Sequence, residues 1–255
     1  LTQNIPLPPN AMVLTFDDGF RSNYTLAYPL LKKWQIPATI YLATEYVDER
    51  KPIWVDRVDH ALGQAGKTVK DLIETKRHLK KLPQEGIEAA VSELESQMGG
   101  QPLDLNKPDV APIYTPLLWS EIQEMQNSGL ISFGAHTHTH KIMGRCQDET
   151  VRHEVRKSKA IIEERTGRPC IHFCYPNGGD GDSSPNSENI LKEEGYGTTV
   201  LALGDVNTLP CPSFSLDRLG VTNGLSLAQF ELTACGFLPM LHHMRKRRAA
   251  KAKAR

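Results

Sequence analysis

Two short stretches, far apart in the chain, carry the residue types that a reaction needs. Thr15-Phe16-Asp17-Asp18-Gly19 closes one apolar run, and His136-Thr137-His138-Thr139-His140 closes another. Residues 11–16 (Ala-Met-Val-Leu-Thr-Phe) are short, apolar and rich in strand formers. Neighbouring side chains on extended chain point to opposite faces, so Asp17 and Asp18 make different contacts. One carboxylate can face a metal while the other faces substrate or a positioned water. Gly19 lets the backbone turn sharply after them. Residues 130–135 (Leu-Ile-Ser-Phe-Gly-Ala) read as a further strand. His136 and His140 follow it, four positions apart, an interval that suits two ligands of one ion. His138 lies between them as a ligand, a supporting group or a surface residue, and Thr137 can support a ligand histidine. Two carboxylates and at least two imidazoles at strand ends point to a mononuclear metal site with a spare carboxylate. That is the equipment of metal-assisted hydrolysis.

The elements that must position these groups alternate along the chain. Residues 23–34 read as a helix with Leu26, Leu30 and Leu31 on one face, ended by Pro37, and residues 38–43 as a strand. An interruption follows at about 51–116, with a charged helical core at 69–98 and an extended return marked by Pro102, Pro108, Pro112 and Pro116. Ser120 caps a helix over 121–127, closed by Gly129. A long helix over 148–166 stops at Gly167 and Pro169, a strand covers 170–174, a helix covers 187–194 and a strand covers 198–203. Alternating β and α elements imply a parallel sheet with right-handed crossovers, and the motifs fall at carboxyl ends of strands, where α/β barrels place chemistry. The expected fold class is α/β, an irregular (β/α) barrel with a helical insertion. The expected organisation is one domain over 1–244 and a basic tail over 245–255.

Composition fits an ordinary enzyme. The 255 residues can bury a real core, and Lys+Arg and Asp+Glu both number 30, so no global charge bias marks a nucleic-acid partner. The tail from Arg245 to Arg255 is the exception; it reads as a solvated tail or helix that can also touch an anionic membrane surface or a phosphorylated lipid carrier. Five cysteines lack metal-like spacing and read as free, mostly buried thiols, which leans towards a reducing compartment. No signal peptide and no apolar run of about 18 residues is visible. The expected location is cytoplasmic or membrane-peripheral. The chain begins with Leu1 rather than Met, which leaves room for an upstream segment.

The motifs also carry a family resemblance. Thr15-Phe16-Asp17-Asp18-Gly19, then Phe20-Arg21-Ser22-Asn23-Tyr24 and Ile36-Pro37-Ala38-Thr39-Ile40-Tyr41, resembles the opening of the polysaccharide deacetylase family, the NodB-homology domain of carbohydrate esterase family 4. Gly134-Ala135-His136-Thr137-His138-Thr139-His140 resembles its second motif, His-Ser/Thr-x-x-His. His172-Phe173-Cys174-Tyr175-Pro176-Asn177-Gly178-Gly179 resembles its third, which walls the groove and makes Pro176 and Asn177 candidate substrate contacts. The resemblance spans most of 11–221 and lies closest to the branch found with exopolysaccharide assembly enzymes. It implies that Asp17 is the general base and that Asp18, His136 and His140 hold one divalent ion. Zinc comes first, with cobalt, nickel or manganese as alternatives. It also implies that the Tyr175 backbone N–H meets the developing oxyanion.

Two departures stand out. The family's third motif carries an Arg that orients the base, where this chain has Ile171, His172 and Phe173. The family's late Leu-His pair, whose His is the general acid, has no clear counterpart. Arg218, within Ser215-Leu216-Asp217-Arg218-Leu219-Gly220-Val221, is a candidate to orient a carboxylate or meet substrate. An acid would have to come from His138, His172, His242 or His243. The family often carries a helical cap at the insertion. Trp54 and Arg57 at its start are the groove candidates, Trp119 is another ring that can stack on a sugar, and Trp34 reads as core. The implied activity is removal of acetyl groups, N-linked before O-linked, from a bacterial surface or extracellular polysaccharide or its precursor. Two rivals remain: a weakly active or inactive carbohydrate-binding or assembly protein, prompted by the missing acid, and a non-haem iron oxygenase, which also uses two histidines and a carboxylate.

Overall fold

Five short runs of β-branched and aromatic residues pair in chain order. β1 (Leu14–Phe16), β2 (Ala38–Leu42), β3 (Ile131–Ala135), β4 (His172–Cys174) and β5 (Thr198–Val200) form one sheet, parallel throughout. Leu42, Ala135, Phe173 and Cys174 are fully buried, as expected of parallel strands covered on both faces. This is a computed structural model; it describes residues 7–8, 11–107, 109–179, 181–202, 204–222, 224–238 and 240–241. The helices are α1 (Tyr28–Trp34), α2 (Thr44–Asp48), α3 (Trp54–Gln64), α4 (Val69–Leu79), α5 (Gln84–Met98), α6 (Trp119–Asn127), α7 (Asp148–Thr166), α8 (Ser187–Glu193) and α9 (Leu227–Ala234).

The sheet curls into a half-barrel, and one side chain spans its gap. Leu216 bridges Val200 in parallel at the β5 edge. Two residues on, Arg218 donates to the Leu201 carbonyl beside β5 and to Thr15 Oγ1 on β1, the latter at 2.8 Å. A single guanidinium thus ties the first strand to the last.

Several elements differ from the sequence expectation. β1 starts at Leu14 rather than residue 11, leaving Met12 and Val13 exposed, and β5 ends at Val200. Residues 23–27 form a π-helical turn before α1. The wider turn shifts the helical phase, so Asn23, Tyr28 and Leu31 face the core while Leu26, Leu30 and Trp34 are 68, 60 and 66% exposed. Trp34 is therefore a surface residue, its ring lying 5.3 Å from Lys33 Nζ. α6 starts at Trp119, where Glu121 accepts from the Leu118 N–H at 3.0 Å. Trp119 donates to Asp48 at 2.8 Å and stacks on Arg165, so its ring is occupied by structural contacts. All five cysteines are free, but only Cys170 and Cys174 are buried. No helix among the described residues is long and apolar enough to cross a membrane. The tail over 245–255, with His242 and His243, lies outside the described residues.

The insertion is helical from Trp54 onward and has its own core. Trp54, Val58, Leu62, Leu79, Ile87 and Val91 cluster there, and Ile142 from the loop after β3 joins them. Gln84 Oε1 accepts from the Ile142 N–H at 3.0 Å. The helices therefore sit against the chain that leaves the carboxyl end of β3. Trp54 and Arg57 are corrections to the groove expectation. Trp54 is 2% exposed because positions 54, 58, 61 and 62 make one apolar helical face. Arg57 is held by Glu95 at 2.6 Å and Glu88 at 2.9 Å, clamping α3 to α5. Trp54→Ala is thus expected to destabilise the fold by about 3–5 kcal/mol. Urea denaturation checks this, and a loss below about 1 kcal/mol would contradict a core role.

Candidate metal centre

The strand ends impose unusual backbone on the residues that follow them. Asp18 (φ 70°), Thr137 (φ 62°), His140 (φ 56°) and Asn177 (φ 60°) all lie in the left-handed region. Strain of this kind costs about 1–3 kcal/mol per residue and persists where surrounding contacts fix it. Gly19 continues the turn at φ 92°, where a Cβ would meet Leu42 and Val47 at 2.9 Å. The Asp18 carbonyl accepts from the Ala43 N–H at 3.2 Å, so this turn is sewn to the end of β2. The Leu42 carbonyl accepts from the His136 N–H at 2.9 Å, which sews the histidine loop to the same point.

That loop is fixed from two further sides. The Thr137 and His138 carbonyls accept from the Thr44 and Glu45 N–H groups at 3.3 and 2.8 Å, using donors that the first turn of α2 leaves free. Glu154 of α7, 1% exposed, accepts from the His138 N–H (2.9 Å), the Thr139 N–H (2.7 Å), Thr139 Oγ1 (2.8 Å) and Lys141 Nζ (3.2 Å). Nothing in the motifs signals Glu154. Its trace in the sequence is the one charged residue in a buried helical stripe, Val151, Glu154, Val155, Ser158 and Ile162. Glu154→Ala removes an acceptor shared by four donors. It is expected to lower stability by about 2–3 kcal/mol and to loosen the histidine loop. Thermal unfolding alongside metal titration checks both effects.

These constraints bring three side chains to a point. Asp18 Oδ1 lies 3.4 Å from His136 Nε2 and 3.3 Å from His140 Nε2. His136 and His140 are 2 and 4% exposed, and Asp18 Oδ1 is buried without a hydrogen-bond partner. Ligand atoms about 2.0–2.1 Å from a tetrahedral ion are separated by roughly 3.3–3.4 Å. The donor set, its spacing and the unpartnered oxygen fit a divalent ion such as zinc. The Cys174 carbonyl accepts from His136 Nδ1–H at 2.8 Å, which leaves the Nε2 lone pair facing Asp18. Burial pushes the His136 imidazole below its usual pKa, the neutral form a ligand requires.

Asp17, next to His136, is bonded to Arg218. Both guanidinium nitrogens donate to it, Nη1 to Oδ1 at 2.8 Å and Nη2 to Oδ2 at 2.7 Å. Cys174 Sγ lies 3.7 Å from Asp17 Oδ2 and 3.0 Å from Arg218 Nη2. Burial alone would raise the Asp17 carboxyl, but the bonds and charge of Arg218, with His136, hold it below the usual carboxylate range. Arg218 thus makes the carboxylate contact that the resemblance led one to expect of an Arg near 171–173, reaching Asp17 at the end of β1 from beside β5.

The remaining candidates fall elsewhere. The Tyr175 N–H donates to the Val200 carbonyl at 3.1 Å, so sheet pairing uses it and it is not free for an oxyanion. Pro176 and Asn177 form the turn after β4, where the Pro176 carbonyl accepts from the Gly178 N–H at 2.8 Å and Asn177 Nδ2 is buried without a partner among the described residues. A Cβ on Gly178 would meet the Ala202 backbone nitrogen at 2.0 Å, so this turn needs glycine. His138 points away from Asp18, its Nδ1 bonded to Thr44 Oγ1 at 2.9 Å and its Nε2 3.9 Å from Glu49. Two further clusters of ligand atoms occur among the described residues: Asp17, His136 and Cys174, where Arg218 already binds Asp17 at 2.7 Å, and Glu45, Glu49 and His138, where Lys51 already places its ammonium 2.9 and 2.8 Å from the two carboxylates. His172 bonds Thr198 Oγ1 at 2.6 Å on the sheet.

A profile of the family described as polysaccharide deacetylase matches residues 4–199, more than half of the chain. The chain belongs to the polysaccharide deacetylase family. Among relatives of this family, the poly-beta-1,6-N-acetyl-D-glucosamine N-deacetylase of Escherichia coli (strain K12) is 49% identical over 43 residues, which are 17% of this chain and 6% of that one. The chain therefore aligns with only a small part of that relative's length. Two solved structures share the deacetylase fold. The Streptococcus pyogenes deacetylase PplD, in complex with acetate, aligns over 92% of this chain and 74% of its own with TM-score 0.59 and 18% identity. IcaB from Ammonifex degensii aligns over 92% and 76% with TM-score 0.58 and 20% identity. The half-barrel seen here is the deacetylase (β/α) barrel architecture.

Proposed function

We propose that this deacetylase is metal-dependent and removes N-acetyl groups from an exopolysaccharide or its precursor. The observation that carries the reading is the convergence of Asp18 Oδ1 with His136 Nε2 and His140 Nε2, beside an Asp17 clamped by Arg218. The E. coli relative's name supplies the substrate class, a poly-N-acetylglucosamine.

Asp18, His136 and His140 would hold the ion; when bound, it lowers the pKa of water towards about 7 and polarises the acyl oxygen. Asp17 accepts the proton of the water that attacks the acetamide carbonyl. Its fork-to-fork bond to Arg218 weakens its basicity but fixes both oxygens, so the gain is orientation and a carboxylate kept ionised. Thr15 and the Leu201 carbonyl hold the guanidinium in turn. The C–N bond then breaks, and the leaving amine takes a proton. Asp17, having gained one from water, is the group in place to return it, since His138 and His172 point elsewhere.

The test is acetate release from N-acetylated glucosamine polymers and short oligomers, with O-acetylated glycans in parallel. Release from the N-acetylated series, faster than from the esters, supports the reading. Glycan binding without release from any substrate, at full metal loading, would favour a binding or assembly protein; the absence of a separate acid among the described residues is the observation on that side.

A further inference from the structure

The insertion carries a buried carboxylate that belongs to no strand-end motif. Asp56 lies in the first turn of α3 and is 7% exposed. Its Oδ2 is fully buried and has no hydrogen-bond partner. A carboxylate at this position of a helix ordinarily reaches back to cap it, yet α3 has no side-chain cap bond. Nor, among the described residues, does a cation pair with it: Lys76, whose charge acts on it, is bound to Asp59 at 2.7 Å. Instead α3 packs, through Trp54, on Ile142, two residues beyond His140, and Asp56 lies within reach of the charge of Asp18. Burial first, then the charge of Asp18, then that of Asp59, push its carboxyl up to about 8. The phenol of Tyr46, 1% exposed, is raised by burial and by the same two carboxylates, Asp56 and Asp18. Asp18, Asp56 and Tyr46 therefore share one buried neighbourhood.

A buried carboxylate with no partner is destabilising, and two of them together more so, unless a cation lies between or beside them. Asp56 is not among the donors that lie within 4.8 Å of one another around Asp18, His136 and His140. It lies outside that set.

We propose that Asp56 is an outer carboxylate of the metal centre, a positioning residue that α3 supplies and that acts on the ion through its coordinated water. The inference rests on the metal-dependent reading above. It gives the insertion a role at the site, through Asp56 rather than through Trp54 or Arg57.

The experiment measures zinc affinity by chelator competition and the visible spectrum of the cobalt-loaded protein, for wild type, Asp56→Asn, Asp56→Ser and Asp59→Asn. Outer partners of metal ligands typically change affinity by about 10–100-fold. Asp56→Asn and Asp56→Ser are expected to weaken zinc binding at least tenfold and to alter the cobalt bands, while the metal-free proteins melt no lower than wild type. Asp59→Asn, which breaks the Lys76 pair and removes a neighbouring charge but leaves the Asp56 carboxylate in place, is expected to keep wild-type affinity and spectrum. Wild-type affinity and spectrum in both Asp56 variants would overturn the proposal, as would an equal loss in Asp59→Asn. Failure of wild type itself to bind zinc or cobalt would instead overturn the metal-dependent reading.

Discussion

Asp17→Asn is expected to abolish acetate release while leaving the metal in place. The substitution keeps the shape of the side chain and removes only its ability to accept a proton. Removal of a general base lowers rates by about 10²–10⁴-fold. Asp17 is bonded to Arg218 and, although it lies near His136, is not one of the Asp18–His136–His140 donors, so zinc content is expected to stay within about threefold of wild type. Stability is expected to fall, because Arg218 is half of a largely buried pair, with side-chain exposures of 13 and 27% for Arg218 and Asp17. Breaking such a pair strands a charge. Metal content and turnover measured on one preparation decide the matter: zinc lost together with activity would assign Asp17 to the ion instead.

The second large effect belongs to the ligands. Asp18→Asn and His136→Ala are expected to weaken zinc binding by at least about 100-fold and to lower acetate release by about three orders of magnitude. Asn suits the left-handed backbone at Asp18 (φ 70°), so that variant tests charge and ligation without backbone strain. At His140, also left-handed (φ 56°), an Ala would confound ligand loss with strain, which makes His136 the cleaner histidine. Isothermal titration with zinc gives the affinities. Unchanged affinity in either variant would remove that side chain from the centre.

The chemistry-bearing positions were legible because their signals are local. Asp17-Asp18-Gly19 and His136 to His140 each follow a short β-forming run, and alternation of side chains gives Asp17 and Asp18 different contacts, while the family resemblance supplied which is base and which is ligand. The alternation of strands and helices was legible for the same reason. What stayed hidden depends on contacts across the chain. Arg218 could be named as a candidate for a carboxylate, but its reach across the half-barrel to Thr15 and Asp17 is a contact over about 200 positions. Glu154 and Asp56 carry no motif at all; each is an acid on the buried face of a helix, visible only once the helix is packed. Trp54 was misplaced although its own periodicity, with Val58, Ala61 and Leu62, marks a core face. Leu26 and Leu30 were misplaced because a π-helical turn over residues 23–27 breaks the period on which the reading relied. The Tyr175 N–H was assigned by resemblance, and the β4–β5 pairing uses it.

The central claim is that acetate release depends on one ion held by Asp18, His136 and His140. The most direct measurement strips the wild-type protein with a chelator, then titrates zinc back while acetate release from an N-acetylglucosamine oligomer is followed. Activity is expected to vanish in the stripped protein and to return linearly, reaching its plateau at one zinc per chain. Acetate release that persists at full rate in protein shown to be metal-free would contradict the account.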